Sequence, residues 1–300
     1  MSMITILGPT ATGKTQFASH LAYQIGGEII SADSRQVYRG MTIGTGKDLS
    51  DYHINGINIP YHLVDIAEPG TEYNVFNFTR DFSRAYNNIT KREKKAILCG
   101  GTGMYLEAIL KGYNLTEVPV NHELRKELSV KTQEELNEIL LSFGQQHNNS
   151  DLTEKERTIR AIEIKTHYSG QNGIINQSKS IESLVCGIHF DRAIIRERIT
   201  LRLHQRLANG MIEEVEELLK SGITAERLIR YGLEYKYITL YLTKQLNYKE
   251  MTNLLNIAIH QFAKRQMTWF RRMEKQGIKI HWIDGNLSME EKVKAVFNKI

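Results

Sequence analysis

Short apolar runs along the chain alternate with longer stretches in which apolar residues recur every three or four positions. Residues 4–7, 28–31, 61–64, 96–99 and 184–188 read as strands, and the stretches between them as helices. A helix is expected over 15–23 and another over 76–91, with Phe78, Phe82 and Ala85 on one face. A third starts at Gly101-Thr102-Gly103 and runs through Met104, Leu106 and Ile109. Strands alternating with helices predict an α/β fold, a parallel sheet flanked by helices, with a glycine-rich loop directly after its first strand. From about residue 121 to 183 the pattern turns polar and charge-rich, with His147-Asn148-Asn149-Ser150 and a Ser/Gly/Asn stretch over 169–180. This reads as an inserted helical subdomain over 121–183, with 1–120 and 184–300 forming the core. After residue 192 the chain is expected to be helical almost to Lys275, and Leu203, Leu207, Met211, Val215, Leu218 and Leu219 mark its apolar stripe. No internal repeat is visible.

Composition narrows the class. With 300 residues and 41% hydrophobic content, the chain is long enough to bury a sizeable core. No run of 18 apolar residues exists, and the N-terminus enters a strand by Ile4. The expected location is therefore cytoplasmic, with no membrane association. Cys99 and Cys186 are the only cysteines, and each ends an apolar run. They read as reduced, buried thiols rather than a disulfide or zinc framework. The charge is uneven: residues 1–150 hold 14 basic and 16 acidic side chains, residues 151–300 hold 25 and 18, so the second half carries +7. That asymmetry suits a polyanionic partner.

The chemistry starts at Gly8-Pro9-Thr10-Ala11-Thr12-Gly13-Lys14-Thr15, which fits the Gly-x-x-x-x-Gly-Lys-Thr phosphate loop at every fixed position. Its glycines let backbone N–H groups turn toward phosphate oxygens, Lys14 brings a mobile positive charge, and the Thr15 hydroxyl is placed to ligate Mg²⁺. After the second predicted strand comes Ser31-Ala32-Asp33-Ser34-Arg35-Gln36-Val37-Tyr38-Arg39-Gly40. A carboxylate there lies at the strand's carboxyl end beside the phosphate loop. Asp33 has three readings: a Mg²⁺ ligand, a base toward an amine or hydroxyl, or a plain turn cap. Ser34 and Gln36 carry groups able to read a base edge. Gly100-Gly101-Thr102-Gly103 offers further backbone donors and the Thr102 hydroxyl, or else simply allows tight strand-to-helix packing. Near the C-terminus, His260 to Arg272 interleaves cations with aromatics, which suits RNA phosphates and unstacked bases or, more blandly, a basic helix packed on the core. Arg157, Arg160, Arg192, Arg196, Arg198 and Arg202 are further phosphate-binding candidates.

Taken together these segments resemble one family over almost the whole chain, the tRNA dimethylallyltransferases. The motifs that carry the resemblance are GPTATGKT (residues 8–15), SADSRQVYRGMTIGTGK (31–47), HLVDIAEP (62–69), ILCGGTGMYL (97–106), RTIRAIE (157–163) and KRQMTWFR (264–271). The resemblance implies a P-loop NTPase-like fold and transfer of a dimethylallyl group from dimethylallyl diphosphate to the N6 amine of the adenine 3′ of the anticodon. It implies that Gly8, Pro9, Thr10, Ala11, Thr12, Gly13, Lys14 and Thr15 hold diphosphate rather than ATP, with Mg²⁺ as cofactor. By the same resemblance Asp33 accepts from the adenine amine and Thr102 touches the leaving oxygen, so that Asp33, Thr102 and Lys14 are the expected catalytic residues. Expected tRNA contacts are Asp33, Ser34, Arg35, Gln36, Arg157, Arg160, Arg230, Lys264, Arg265, Gln266, Trp269 and Arg271. The partner is the anticodon stem-loop of tRNA, and a monomer is the default state.

The chain departs from the pattern in two places. It has Ile43-Gly44-Thr45-Gly46-Lys47-Asp48 where the family usually reads IGTAKP, a change small in volume. It has Arg230-Tyr231-Gly232-Leu233-Glu234-Tyr235 where Gly-Tyr-Lys-Glu is common, a change that bears on contacts near the reacting base. The insert also reads as short. Three other functions share parts of these signals: a P-loop kinase using ATP, a prenyltransferase acting on a free adenosine nucleotide, and a non-catalytic RNA binder. The first two give no role to residues 264–271, and intact Lys14, Thr15 and Asp33 argue against the third.

Overall fold

The computed structural model describes residues 3–113, 115, 117–144, 152, 154–169 and 180–299. In chain order the elements are β1 (Met3–Leu7), α1 (Lys14–Ile25), β2 (Glu28–Ala32), a 3₁₀ turn (Leu49–Tyr52), β3 (His53–Ile54), β4 (Ile57–Asn58), β5 (Tyr61–His62), α2 (Val75–Lys91), β6 (Ala96–Gly100) and α3 (Gly103–Leu110). There follow α4 (His122–Ser129), α5 (Gln133–Ser142), α6 (Lys155–Ser169), β7 (Ser183–His189), α7 (Arg192–Ala208), α8 (Met211–Lys220), α9 (Ala225–Arg230), α10 (Leu233–Leu242), α11 (Tyr248–Lys275), β8 (Ile280–Asp284) and α12 (Met289–Phe297).

Six strands form one parallel sheet in the order β5-β2-β6-β1-β7-β8. The strands β1, β2 and β6 are buried along their whole length, as a sheet covered on both faces requires. Phe78, Phe82, Leu98, Leu106 and Phe270 pack on one side of it, and Phe17, Leu21, Ile29, Ile97 and Ile188 on the other. The expected strands all occur, 61–64 only as the two-residue β5. Two features lie outside the sequence reading: the edge strand β8, and the β3-β4 hairpin. In β8 the half-buried His281 breaks the short apolar run of Ile280, Trp282 and Ile283, which hides an edge strand from a pattern search.

The single long helical stretch expected after residue 192 is five helices. Gly210 at φ 96° caps the start of α8 and turns the chain between α7 and α8. The stripe still does its work across that turn: Leu203, Leu207, Met211, Val215 and Leu218 bury together with Tyr235, Leu255 and Ile259. The chain divides into two compact units, one of Met1–Tyr113 with Lys179–Ile300 and one of Asn114–Ser178, against an expected insert of 121–183. The smaller unit closes its own core from Leu128, Leu136, Leu140, Ile159 and Ile162. The polar patch at 147–150, and all but the ends of the 169–180 stretch, lie outside the described residues. No helix among the described residues is long and apolar enough to cross a membrane.

Candidate active site

Strand order decides what meets at the sheet's carboxyl edge. β2, β6 and β1 are neighbours, so the segments that follow them, Asp33, Thr102 and the phosphate loop, come together although they are far apart in the chain. The loop runs from β1 into α1 through two left-handed residues, Ala11 at φ 63° and Gly13 at φ 75°. A left-handed non-glycine residue costs about 1–2 kcal/mol, and here Arg198 Nε holds it by donating to the Ala11 carbonyl at 2.9 Å. The Thr12 hydroxyl donates to the Pro9 carbonyl at 2.8 Å, tightening the turn. The N–H groups of residues 11–15 donate to no protein acceptor among the described residues. Such a row of unpaired donors at a helix N-terminus is an anion cradle.

Lys14 leans back to the Pro9 carbonyl at 3.4 Å. Burial lowers its pKa, opposed by the charges of Cys99 and Asp33 and reinforced by those of Arg202 and Arg206. A bound polyanion would favour its charged form. Cys99 is buried and free, its thiol pushed up to about 12 mainly by that burial. Cys186 is likewise buried and free, matching the reduced-thiol expectation.

Asp33 caps a turn with one carboxylate oxygen and leaves the other open. Its Oδ1 accepts from the backbone N–H of Arg35 at 2.8 Å and of Gln36 at 3.4 Å, while Oδ2 has no donor among the described residues. Thr102 ties this segment to the second glycine turn: its Oγ1 accepts from the Ser34 N–H at 3.0 Å and lies 3.4 Å from the Ser34 hydroxyl. The glycines around Thr102 serve close packing. A side chain at Gly100 would sit 2.2 Å from the Ala32 carbonyl oxygen, at Gly101 2.5 Å from Gln266, and at Gly103 2.4 Å from the Trp269 ring.

Several expected RNA contacts are placed otherwise. Gln266 is buried, 7% exposed, and its amide is spent inside the protein. Its Oε1 accepts from the Thr10 N–H at 2.9 Å and its Nε2 donates to the Gly101 carbonyl at 2.9 Å, bridging the two glycine loops. Gln36 is spent in the same way, donating to the Gly46 carbonyl at 3.1 Å and accepting from Ser31 Oγ at 3.3 Å. Trp269 packs over Gly103, under the Arg272 guanidinium at 4.0 Å. Arg160 donates to Glu163 and to the Val118 carbonyl, while Arg157 pairs with Glu154. The side chains of Lys264, Arg265 and Arg271 on α11 are exposed, as is Arg230 at the end of α9, and Ser34 and Arg35 are half-buried beside Asp33.

The α7 arginines are the group that sequence reading leaves incomplete. Arg198 and Arg202 are candidates among many there, and Arg206 is not singled out. All three lie on one helical face at four-residue spacing, and α7 follows β7, the strand next to β1, so that face meets the phosphate loop. Arg202 pairs with Asp48 at 2.6 Å. A cavity of about 20 Å³, room for one water, is lined by Thr10, Ala11, Arg202, Arg206, Glu234 and Ile259. The four-residue repeat is the signal that would have found Arg206.

For a metal, no group of three or more His, Cys, Asp or Glu side chains converges among the described residues. The Thr15 hydroxyl at the cradle has no hydrogen-bond partner among them. One hydroxyl beside a polyphosphate cradle fits Mg²⁺, which keeps most of its waters and takes substrate oxygens, and does not fit zinc.

A sequence-family model described as IPP transferase matches residues 36–273. The chain is 57% identical to tRNA dimethylallyltransferase 1 of Parabacteroides distasonis over 291 residues, covering 97% of this chain and 95% of that one. It is 56% identical to tRNA dimethylallyltransferase 1 of Azobacteroides pseudotrichonymphae, covering 99% and 97%. The crystal structure of the full-length tRNA isopentenylpyrophosphate transferase of Bacillus halodurans superimposes with a TM-score of 0.73 at 28% identity, covering 99% and 95%. A eukaryotic dimethylallyltransferase acting on tRNA shares the fold, with a TM-score of 0.75 at 21% identity, covering 94% of this chain and 73% of that one.

Proposed function

The chain belongs to the IPP transferase family, the tRNA dimethylallyltransferases, and from that premise we propose how its own residues divide the work. Its activity is dimethylallyl transfer to tRNA. The cradle of residues 8–15 holds the diphosphate of dimethylallyl diphosphate, and the acceptor is the N6 amine of the adenine 3′ of the anticodon. The observation that carries this reading is the pairing of unpaired N–H groups on one neighbouring loop with the open Asp33 Oδ2 on the other.

An adenine amine is a weak nucleophile because its lone pair is delocalised into the ring. The reaction therefore leans on an activated allylic carbon and on fixed geometry. As the bond from C1 to the diphosphate oxygen breaks and the bond from N6 to C1 forms, the N6 proton passes to Asp33 Oδ2. Negative charge grows on the departing diphosphate, and Lys14 with the cradle N–H groups is the set we assign to it. The Thr15 hydroxyl would hold Mg²⁺ beside the cradle, where the ion would supply further neutralisation of the leaving group. Thr102 fixes the Asp33 segment and presents its hydroxyl to the leaving oxygen.

The adenine must leave its stack to reach Asp33, at a cost of a few kcal/mol that backbone contacts offset. Lys264, Arg265 and Arg271 on α11, with Arg230, Arg35 and Ser34, are the groups we assign to the anticodon stem-loop. The reading needs one chain and one tRNA, and it puts the protein in the cytoplasm.

The test is transfer of radiolabelled dimethylallyl diphosphate with Mg²⁺ to unmodified tRNA bearing adenine after the anticodon, with AMP and ATP in parallel. Label at N6 of that adenine is the expected result. Label in AMP alone, or ATP turnover without transfer, would overturn it.

A further inference from the structure

Arg206 is hard to account for as a solvated helix residue. Its side chain is 14% exposed, its Nη2 is buried with no hydrogen-bond partner among the described residues, and the nearest carboxylate oxygen, on Asp48, is 3.9 Å away. It also lies beside Arg202, a like charge on the same helix face. Burial and that neighbour draw its pKa down to about 10, against the pull of Asp48 and Glu234. A protein keeps so poorly compensated a charge where the position of the group matters.

What the guanidinium touches is Gly46. A Cβ built there would sit 1.9 Å from Arg206 Nη2 and 2.8 Å from Arg206 Cζ, with Arg202 Nη2 also at 2.8 Å. The guanidinium thus occupies the space a side chain would need. Gly46 is also left-handed, at φ 67°. The same loop is clamped from α8 and α10: Glu214 accepts from the N–H groups of Thr42, Ile43 and Gly44 at 2.8, 2.6 and 3.0 Å, and from the Tyr235 hydroxyl at 2.7 Å. From Gly46 the contacts lead to the base. Its carbonyl accepts from Gln36 Nε2 at 3.1 Å, and the Gln36 N–H donates to Asp33 Oδ1 at 3.4 Å.

We propose that Arg206 is a positioning residue for the transfer reaction: seated on Gly46, it fixes the loop that holds Gln36 and, through Gln36, the orientation of the Asp33 carboxylate. The proposal rests on the reading of Asp33 as the base. It also joins the chain's departures from the family pattern, since Gly46 and Asp48 lie against Arg206 and Glu234 lines the same cavity. A replacement small in volume makes room for a guanidinium.

The test is a double-mutant cycle on the full chain with Gly46→Ala, Arg206→Met and the pair, read three ways: single-turnover transfer at saturating substrates, tRNA Kd, and thermal unfolding. Each single change is expected to slow transfer by roughly ten- to a hundredfold, as small misplacements of a reacting group do, with tRNA Kd within about twofold. In the pair, transfer should be no slower than in Arg206→Met alone, and the losses in melting temperature should be less than additive. Multiplicative losses of rate, or additive losses of melting temperature, would overturn the coupling. Wild-type transfer rates in Arg206→Met would overturn the positioning role. Should Gly46→Ala not fold, the cycle of Gln36→Leu with Arg206→Met tests the same relay with the same outcomes. A wild-type chain that transfers no label contradicts the base reading itself, while the unfolding cycle still tests the pair.

Discussion

Asp33 and Gln266 show how one atom's partners separate a chemical role from an architectural one. Asp33 spends one oxygen on its own turn and keeps the other open. Asp33→Ala is therefore expected to lower the transfer rate by about 10²–10⁴-fold while tRNA Kd, measured by filter binding, stays within about twofold. Equal losses in both would remove its chemical role. Gln266 spends both ends of its amide on the two glycine loops. Gln266→Ala strands the Thr10 N–H and the Gly101 carbonyl, and is expected to cost about 2 kcal/mol of stability in chemical denaturation and to raise KM for the diphosphate, with tRNA affinity unchanged. Weakened tRNA affinity at intact stability would return Gln266 to the RNA interface. Position in the KRQMTWFR segment could not separate Gln266 from its neighbours. A three-dimensional fact, that one face of α11 meets the phosphate loop, does so.

Among the elements, the insert's α6 carries the clearest pH dependence. Glu163 is 1% exposed. Burial alone would raise its pKa, but hydrogen bonds from Arg125, Arg160 and the Asn121 N–H outweigh it and hold the group at about 2. Because the folded value lies below the ordinary 4.5, the stabilisation is complete above about pH 4.5 and is lost as pH falls toward 2. Glu163→Gln is expected to cost the insert about 3 kcal/mol at pH 7 and little near pH 2, read as hydrogen-exchange protection of α4 to α6 in the full chain. An equal cost at both pH values would show that the carboxylate's charge is not the stabilising feature. Arg160, expected at RNA, is one of the three donors to Glu163, three residues away on α6 within the same motif. α7 teaches the converse. Its arginines at four-residue spacing are legible as one face, but which face meets the phosphate loop depends on β7 lying next to β1.

For the whole molecule, the +7 charge of residues 151–300 and the exposed cations of α11 are expected to set how tRNA binding responds to salt. Replacing both Lys264 and Arg265 with Ala is expected to weaken tRNA binding and to flatten the log–log salt slope by about one for each phosphate no longer neutralised. An unchanged slope would place the RNA elsewhere. Contiguous residues suffice for the α/β class, five of the six sheet strands, the phosphate loop, and the carboxylate and threonine that share its edge. Those are local signals: apolar period, glycine placement and fixed motif spacing are written in contiguous residues. The rest waits on the folded chain. The strand order that seats Thr102 between Lys14 and Asp33, the spending of Gln266 inside the protein, and the fit of Arg206 onto Gly46 join residues dozens to hundreds of positions apart. A side chain's free atoms depend on neighbours that only the folded chain supplies, so no reading of one segment at a time contains them.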